Sequence, residues 1–571
     1  MSNGFDAKHL RWALAAVLAF ACPLHAQTQV ALTKHNLSAS GPGALHVTVP
    51  SGTCVFCHTP HNAAATRALW NKSLPPTTYQ LYTSSTTKAT LNQPTGSSRL
   101  CLSCHDGMLA LESLRTPPKG VTLTALGTIT GRSLIGTNLS ADHPISFLYN
   151  SALAAARGDL VDPLSLPASI HLDDGGQLQC TSCHDPHENR RSLFLRMDNT
   201  NGALCTACHK VPLWSGSSHA QSTAIWNGLG TSPWTANAAS TSSVAQNACL
   251  GCHRPHASGH AQRLLAQVGE PDNCSVCHTA TVAHKDVASE FLKPSHHPVE
   301  VGQWTHDPLE SPTTMPRHVA CADCHNPHAV NPTPAVVPAA SGRLKGVASV
   351  SIAGLTISDP NFEYEVCLKC HGLTEPTTTT FIARKDTTRN IRLRMQNTNQ
   401  SFHPIAAIGL NATMLGLMPS YTTSSQITCT SCHNNDAAAT AGTAPTGPHG
   451  SLFAPILERQ YLSNDPEVES PQTYELCYKC HNEPFLVNDS AGTFHHKSHV
   501  VTDQAPCAVC HDPHGSRYNP HLIDFMLRDR TGKAVVTPSA TLGLMQYTST
   551  GPGHGTCYLQ CHGSNHEPKS Y

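Results

Sequence analysis

The chain is short of what builds an ordinary core. Aromatic residues make up 5% of its 571 residues and charged residues 13%. No run is apolar over the length a membrane-spanning helix needs, which argues against an integral helical membrane protein. Cations and anions nearly cancel, 36 Lys and Arg against 37 Asp and Glu, and no basic patch stands out. A nucleic-acid partner is therefore not expected. Phosphate-cradling glycine loops and nucleophilic triads are also missing. A chain of this length would normally divide into several domains with apolar cores. Here long stretches, such as Leu81–Ser98 and Ala236–Ala245, are rich in Ser, Thr and Ala. The apolar material of the core has to come from elsewhere.

What is abundant is Cys and His, 25 and 38 residues. They fall into one recurring pattern. Cys-x-x-Cys-His begins at Cys54, Cys101, Cys180, Cys205, Cys249, Cys274, Cys321, Cys367, Cys429, Cys477 and Cys507. A twelfth version, Cys557-Tyr558-Leu559-Gln560-Cys561-His562, has one extra residue between its cysteines. The second cysteines are Cys57, Cys104, Cys183, Cys208, Cys252, Cys277, Cys324, Cys370, Cys432, Cys480, Cys510 and Cys561. Two thiols two residues apart with His directly after them is the attachment signature of haem c. The thiols add across the two vinyl groups, and the His becomes the proximal iron ligand. Zinc would want its ligands in sets of four and would not need His after every pair. The expectation is twelve covalent haems, with proximal His58, His105, His184, His209, His253, His278, His325, His371, His433, His481, His511 and His562.

The sites alternate. One type carries a further Pro-His after the proximal His: His61, His187, His256, His328 and His514. The other type lacks it. At Cys429 the Pro-His is displaced by an insertion, and Gly447-Pro448-His449-Gly450-Ser451 echoes Asp512-Pro513-His514-Gly515-Ser516, so His449 takes the role. Six two-haem modules result. The segments between them carry His143, His219, His297, His403 and His499, and these with the six Pro-His residues make eleven candidate distal ligands. The twelfth is His35 or His46, between which the sequence does not choose. Bis-histidine iron is expected throughout. Met108 is the one plausible thioether alternative. His171, His260, His284, His306, His318, His521, His554 and His566 read as surface or propionate-contacting residues. Leu195-Arg196-Met197-Asp198-Asn199-Thr200-Asn201 recurs as Leu393-Arg394-Met395-Gln396-Asn397-Thr398-Asn399, a further sign of duplication.

The N-terminus reads as an export signal over residues 1–26. Lys8 and Arg11 precede an apolar run from Trp12 to Phe20, and Leu24-His25-Ala26 resembles a cleavage site. Cleavage would remove the leftover Cys22. The expected organisation is residues 27–150 with the first module, 151–300 with the second and third, 301–410 with the fourth, and 411–571 with the fifth and sixth. The fold class is a haem-cored coil with short helices and little sheet, and a chain without haem should fold poorly.

The alternation resembles the doubled-CxxCH multihaem cytochromes of bacteria that respire metals and other extracellular acceptors. Val55-Phe56-Cys57-His58-Thr59-Pro60-His61-Asn62-Ala63 and Ser98-Arg99-Leu100-Cys101-Leu102-Ser103-Cys104-His105-Asp106-Gly107 look particularly like that family. The likeness runs from about residue 34 to 563 and departs from the pattern at the Cys429 insertion and the Cys557 spacing. It implies electron transfer through low-spin haems, in the periplasm, at the outer membrane or outside the cell, with redox proteins or extracellular acceptors as partners. Self-assembly into a haem filament is compatible with it. An enzyme would instead need one iron with an open position. No Cys-x-x-Cys-Lys site, which some reductases use, is present; a haem reductase stays the alternative reading, with the Cys557 site, or the haem paired with His35 or His46, as its place.

Overall fold

The structure is a computed structural model. It describes residues 29–571 apart from 50–51, 67, 120–121, 124, 235–238, 240, 300–305, 317, 373–381, 439–441, 443, 489–493 and 552. The export-signal reading of residues 1–26 lies outside the described residues. Among those described, no helix is long and apolar enough to cross a membrane.

Helices are short because the sequence interrupts them with Pro, Gly and β-branched residues every few positions. The two longest are α1 (Gly96–His105) and α2 (Glu363–His371), and both end on a Cys-x-x-Cys-His motif. Most strands are two-residue ladders. The exception is a C-terminal antiparallel sheet of β1 (Val536–Thr537), β2 (Gln546–Gly551), β3 (His554–Cys561) and β4 (Ser564–Ser570). In it β3 pairs with all three others. The fold is thus mostly coil with short helices and little sheet, and what sheet there is gathers at the end of the chain.

The chain packs as two units. One runs up to Lys210 and includes Pro255–Ala257; the other is Val211–Arg254 with Ser258–Tyr571. The division falls between the second and third modules, which the sequence grouping placed together in 151–300. Apolar clusters are small. The largest gathers Ala505, Ala508, Val509, Ile523, Phe525, Met526, Val535, Val536, Cys557 and Leu559, joining the last helical motif to the C-terminal sheet. The next holds five buried residues around Val350, Tyr364 and Leu368.

Polar contacts carry much of the remaining packing. Lys72 is fully buried, and its ammonium donates to the carbonyls of Ala110, Leu111 and Ser113. The recurring Leu-Arg-Met motif has a recurring job. Arg196 lies 3.4 Å from Asp185, the Asp of His184-Asp185-Pro186-His187. Arg394 pairs with Asp512, the Asp of His511-Asp512-Pro513-His514, and lies 2.8 Å from Asp524. In this buried cluster the partners win at Asp512: burial works to raise its carboxyl, but the His514 hydrogen bond and the Arg384 and Arg394 guanidiniums hold it well below the usual range. At Asp524 burial wins, and its carboxyl is raised.

Removing one partner of a buried ion cluster strands the others without compensation. Arg394→Ala is therefore expected to destabilise the second unit by about 3–5 kcal/mol. Denaturant titration of the haem-loaded protein checks this, and an unchanged midpoint would contradict it.

Candidate haem-binding sites

Eleven of the twelve motifs adopt the same helical turn. The backbone N–H of the proximal His donates to the first cysteine's carbonyl at 2.8–3.0 Å in nine of them: His58, His184, His209, His253, His278, His325, His433, His481 and His511. The other two close α1 and α2. One turn of helix puts residues i, i+3 and i+4 on one side, with neighbouring Cβ atoms about 5–6 Å apart. Both thiols and the imidazole therefore face the same space.

Opposite each of these eleven imidazoles stands a second one. The ring centres are 6.1 Å apart for His58 and His187, His253 and His328, and His325 and His449. They are 6.2 Å apart for His184 and His256, His209 and His143, and His433 and His514. The spacing is 6.3 Å for His105 and His35, His278 and His219, and His511 and His496. It is 6.4 Å for His371 and His297, and for His481 and His403. A first-row metal–imidazole bond is about 2 Å and ring centre to Nε2 about 1.2 Å, so two imidazoles on opposite faces of one metal stand about 6.4 Å apart. The spacing is what two imidazoles sharing one iron would need.

The electrostatics agree. Burial first, and the facing imidazole second, hold His143, His278, His328, His433 and His481 down to about 4, and His449 and His511 to about 3. These rings are neutral at neutral pH, the form whose lone pair binds a metal. Many are oriented through Nδ1 by a backbone carbonyl, such as His58 by Ala68 at 2.6 Å, His105 by Ser133 at 2.7 Å and His325 by Arg343 at 2.9 Å. A carbonyl on Nδ1 fixes the tautomer and leaves Nε2 for the iron.

The Pro-His elements serve two sites each. The His of every one after the first faces the first site of the preceding module. The Pro carbonyl of the same element positions the linker His that faces that module's second site. His35 and His219 contact the Pro186 and Pro327 carbonyls through Nδ1 at 3.4 and 2.8 Å. His297 contacts Pro448 at 2.7 Å, and His403 contacts Pro513. His143 reaches the Pro255 carbonyl with its backbone N–H at 2.8 Å. Two-residue ladders hold the later elements in register: Ser295–His296 pairs with Gly450–Ser451, and Ser401–Phe402 with Gly515–Ser516. Both glycines are required by close approach. A Cβ at Gly450 would fall 1.8 Å from the Glu290 carbonyl oxygen, and one at Gly515, φ +151°, 2.1 Å from that of Arg394. The echo around His449 and His514 is thus one structural element used twice.

Cysteine contacts run in sequence order within each unit. Inside modules the second cysteines neighbour one another, as Cys57 does Cys104, Cys183 does Cys208, and Cys432 does Cys480. Between modules the first cysteines are neighbours: Cys101 of Cys180, Cys274 of Cys321, Cys367 of Cys429, and Cys477 of Cys507.

Three expected distal residues are placed elsewhere. His46 contacts the Gly43 carbonyl through Nδ1 at 2.6 Å, and it is His35 that faces His105. His61 is exposed and faces no proximal ring among the described residues. His499 lies one turn too far along Lys497–Thr502. Its Nε2 meets the Tyr571 hydroxyl at 3.2 Å, and His496 takes the place opposite His511. The twelfth motif departs most. Cys557 and Cys561 lie in β3, where four residues span about 13 Å, and His562 meets Asp465 at 2.7 Å with no imidazole opposite it. In this extended segment the two thiols are not brought together as they are in the helical turns. Sequence reasoning missed the Pro carbonyls and the choice of His496. The Pro before each distal His was the available signal for the former.

Comparison with known proteins finds the same motif. The doubled CXXCH motif matches residues 174–212 and 242–283, which hold the second and third modules. The motif and its repeats make the chain a multihaem c-type cytochrome. It is also similar to the multiheme cytochrome MtrA of Shewanella baltica (strain OS185), 27% identical over 165 residues. That match takes in 26% of this cytochrome and 36% of the relative, so the chain spans about a third of the relative's length.

The imidazole planes range from parallel to crossed. At the first site of each module they lie within 6–36° of parallel. At the second sites the His481 and His403 pair stands at 37°, and the other four pairs cross at 57–88°. Parallel π-donor planes add in lifting the degeneracy of the iron d orbitals, and crossed planes cancel. Electron paramagnetic resonance of the oxidised cytochrome is expected to show rhombic low-spin signals beside a minority of strongly axial ones, the latter from the four crossed second sites. A single population would contradict this spread of angles.

Proposed function

We propose that this cytochrome is an exported electron carrier whose haems sit in two runs, Cys54 to Cys205 and Cys249 to Cys507, each iron held between two imidazoles. The observation that carries the reading is the eleven imidazole pairs at 6.1–6.4 Å. Haem iron supplies one-electron exchange, and with both axial positions filled it has none left for a substrate. The chain's own work is to hold and orient. The helical turns present thiols and His together, the Pro carbonyls fix the linker imidazoles, and burial keeps the rings neutral. Adjacent cysteines in sequence order support a path that follows the chain within each run. The haems themselves would supply the apolar core that the small side-chain clusters do not.

The twelfth motif is the place where a second reading survives. His562 has no facing imidazole, so a reductase with one open iron would have to use it. Against that, its cysteines lie along a strand, a spacing unsuited to two thioether bonds on one macrocycle. Redox partner proteins or extracellular acceptors, and a periplasmic, outer-membrane or extracellular place, are part of the proposal.

The ligand set is tested at the two places where it departs from a simple reading of the motifs. His35→Ala and His496→Ala should each convert one haem to a high-spin form that binds carbon monoxide, while His46→Ala and His499→Ala leave the spectrum unchanged. The reverse pattern at either pair would overturn the assignment there.

A further inference from the structure

Four side chains that the haem sites do not use converge beside the Cys321–His325 turn. His306 Nδ1 lies 2.7 Å from Glu310 Oε1 and 3.0 Å from Asp323 Oδ1. His318 Nε2 lies 3.2 Å from Glu310 Oε1 and 3.4 Å from Asp323 Oδ2. One ligand atom from each of the four falls within 4.8 Å of every other. We propose that His306, Glu310, His318 and Asp323 form a site for one divalent metal ion of the zinc class.

The dimensions fit. Zinc bonds to His nitrogen and carboxylate oxygen are about 2.0–2.2 Å, which puts tetrahedral ligand atoms about 3.3–3.6 Å apart. Of the four observed separations, 3.4 Å falls in that range and 2.7, 3.0 and 3.2 Å are shorter, so the site would open slightly around an ion. The set of two nitrogens and two oxygens is a borderline-hard donor set suited to zinc-class ions.

The surroundings are built for it. The side chains of His318 and Asp323 are 6% and 3% exposed. His318 Nδ1 bonds the Pro316 carbonyl at 2.9 Å, which leaves the Nε2 lone pair directed at the cluster. That is the outer-shell partner a metal-bound imidazole normally has. Glu310 Oε1 is buried and accepts no hydrogen bond of good geometry. Glu270 pre-positions the two halves, accepting from the His306 N–H and from the Ala322 N–H, each at 2.8 Å.

Asp323 itself is more than its turn requires. Its Oδ2 accepts from the Ala320 N–H, which caps the attachment helix. At the equivalent positions Ser182 and Ser431 do the same with a hydroxyl. Cys321-Ala322-Asp323-Cys324 is the one motif of the twelve with an acidic residue between its cysteines. Lys369 Nζ lies 3.3 Å from Asp323 Oδ1 and offsets one carboxylate. The second carboxylate and the two imidazoles remain for a dication. Bound there, the ion would tie the segment from His306 to His318 to a haem-attachment turn.

The test uses the purified, haem-loaded cytochrome, stripped with a chelator, incubated with Zn(II) and desalted. Metal per chain is read by mass spectrometry beside the haem count. The expected result is one retained zinc, with X-ray absorption showing a nitrogen and oxygen shell at about 2.0–2.1 Å with imidazole scattering. His306→Ala, His318→Ala and Glu310→Gln should each weaken retention at least tenfold with haem content unchanged. Glu310→Gln keeps the side chain's size, so it reads the site even if an alanine variant disturbs packing. His46→Ala should retain zinc as the unmodified protein does. No retained zinc in the unmodified protein, or equal retention in His318→Ala and Glu310→Gln, would overturn the proposal and leave an ion-pair cluster.

Discussion

An imidazole at the end of a helical turn has to meet a second imidazole from another part of the chain, and that requirement organises everything else. A separation near 6.3 Å between ring centres is too wide for direct contact and right for a metal between them. Holding two rings at that distance across a gap needs each to be anchored from behind. Backbone carbonyls provide the anchors, since a loop-rich chain has many of them outside regular hydrogen-bond ladders.

The Pro-His element turns this local demand into a fold. A proline has no N–H to occupy its surroundings and a fixed φ, so its carbonyl projects predictably. Its carbonyl positions one distal His while the next residue supplies another. Each module is therefore completed by the module after it. This explains why the ligand pairs cross between modules while cysteine neighbours still follow sequence order. The last helical site takes its facing imidazole differently: His496 comes from the segment just before His511.

Much of the candidate site was legible in the sequence, because covalent haem attachment fixes both residue type and spacing. In the structure ten of the thirteen candidate distal histidines each face a motif histidine across a gap of 6.1–6.4 Å between ring centres. The low aromatic content pointed correctly to a coil-rich fold. What spacing could not settle was contact order. His35 and His46 are equally placed in sequence, and only the Pro186 carbonyl distinguishes them. His496 and His499 differ by one turn of an irregular helix. The C-terminal sheet was hidden because its strands are polar and alternate weakly, and their partner is the small cluster around Val536 and Leu559. The quartet at His306 was hidden because its members come from four separated positions with no repeat to mark them.

The central claim is that every iron in the eleven helical-turn sites has two imidazole ligands. The most direct test is the spin state of the oxidised, matured cytochrome together with a peptide-level count of attached haem. Eleven haems on Cys54 through Cys510, all low-spin and unmoved by carbon monoxide on reduction, with Cys557 and Cys561 unmodified, is the result expected. A high-spin signal amounting to one haem per chain from any of those eleven sites would contradict it.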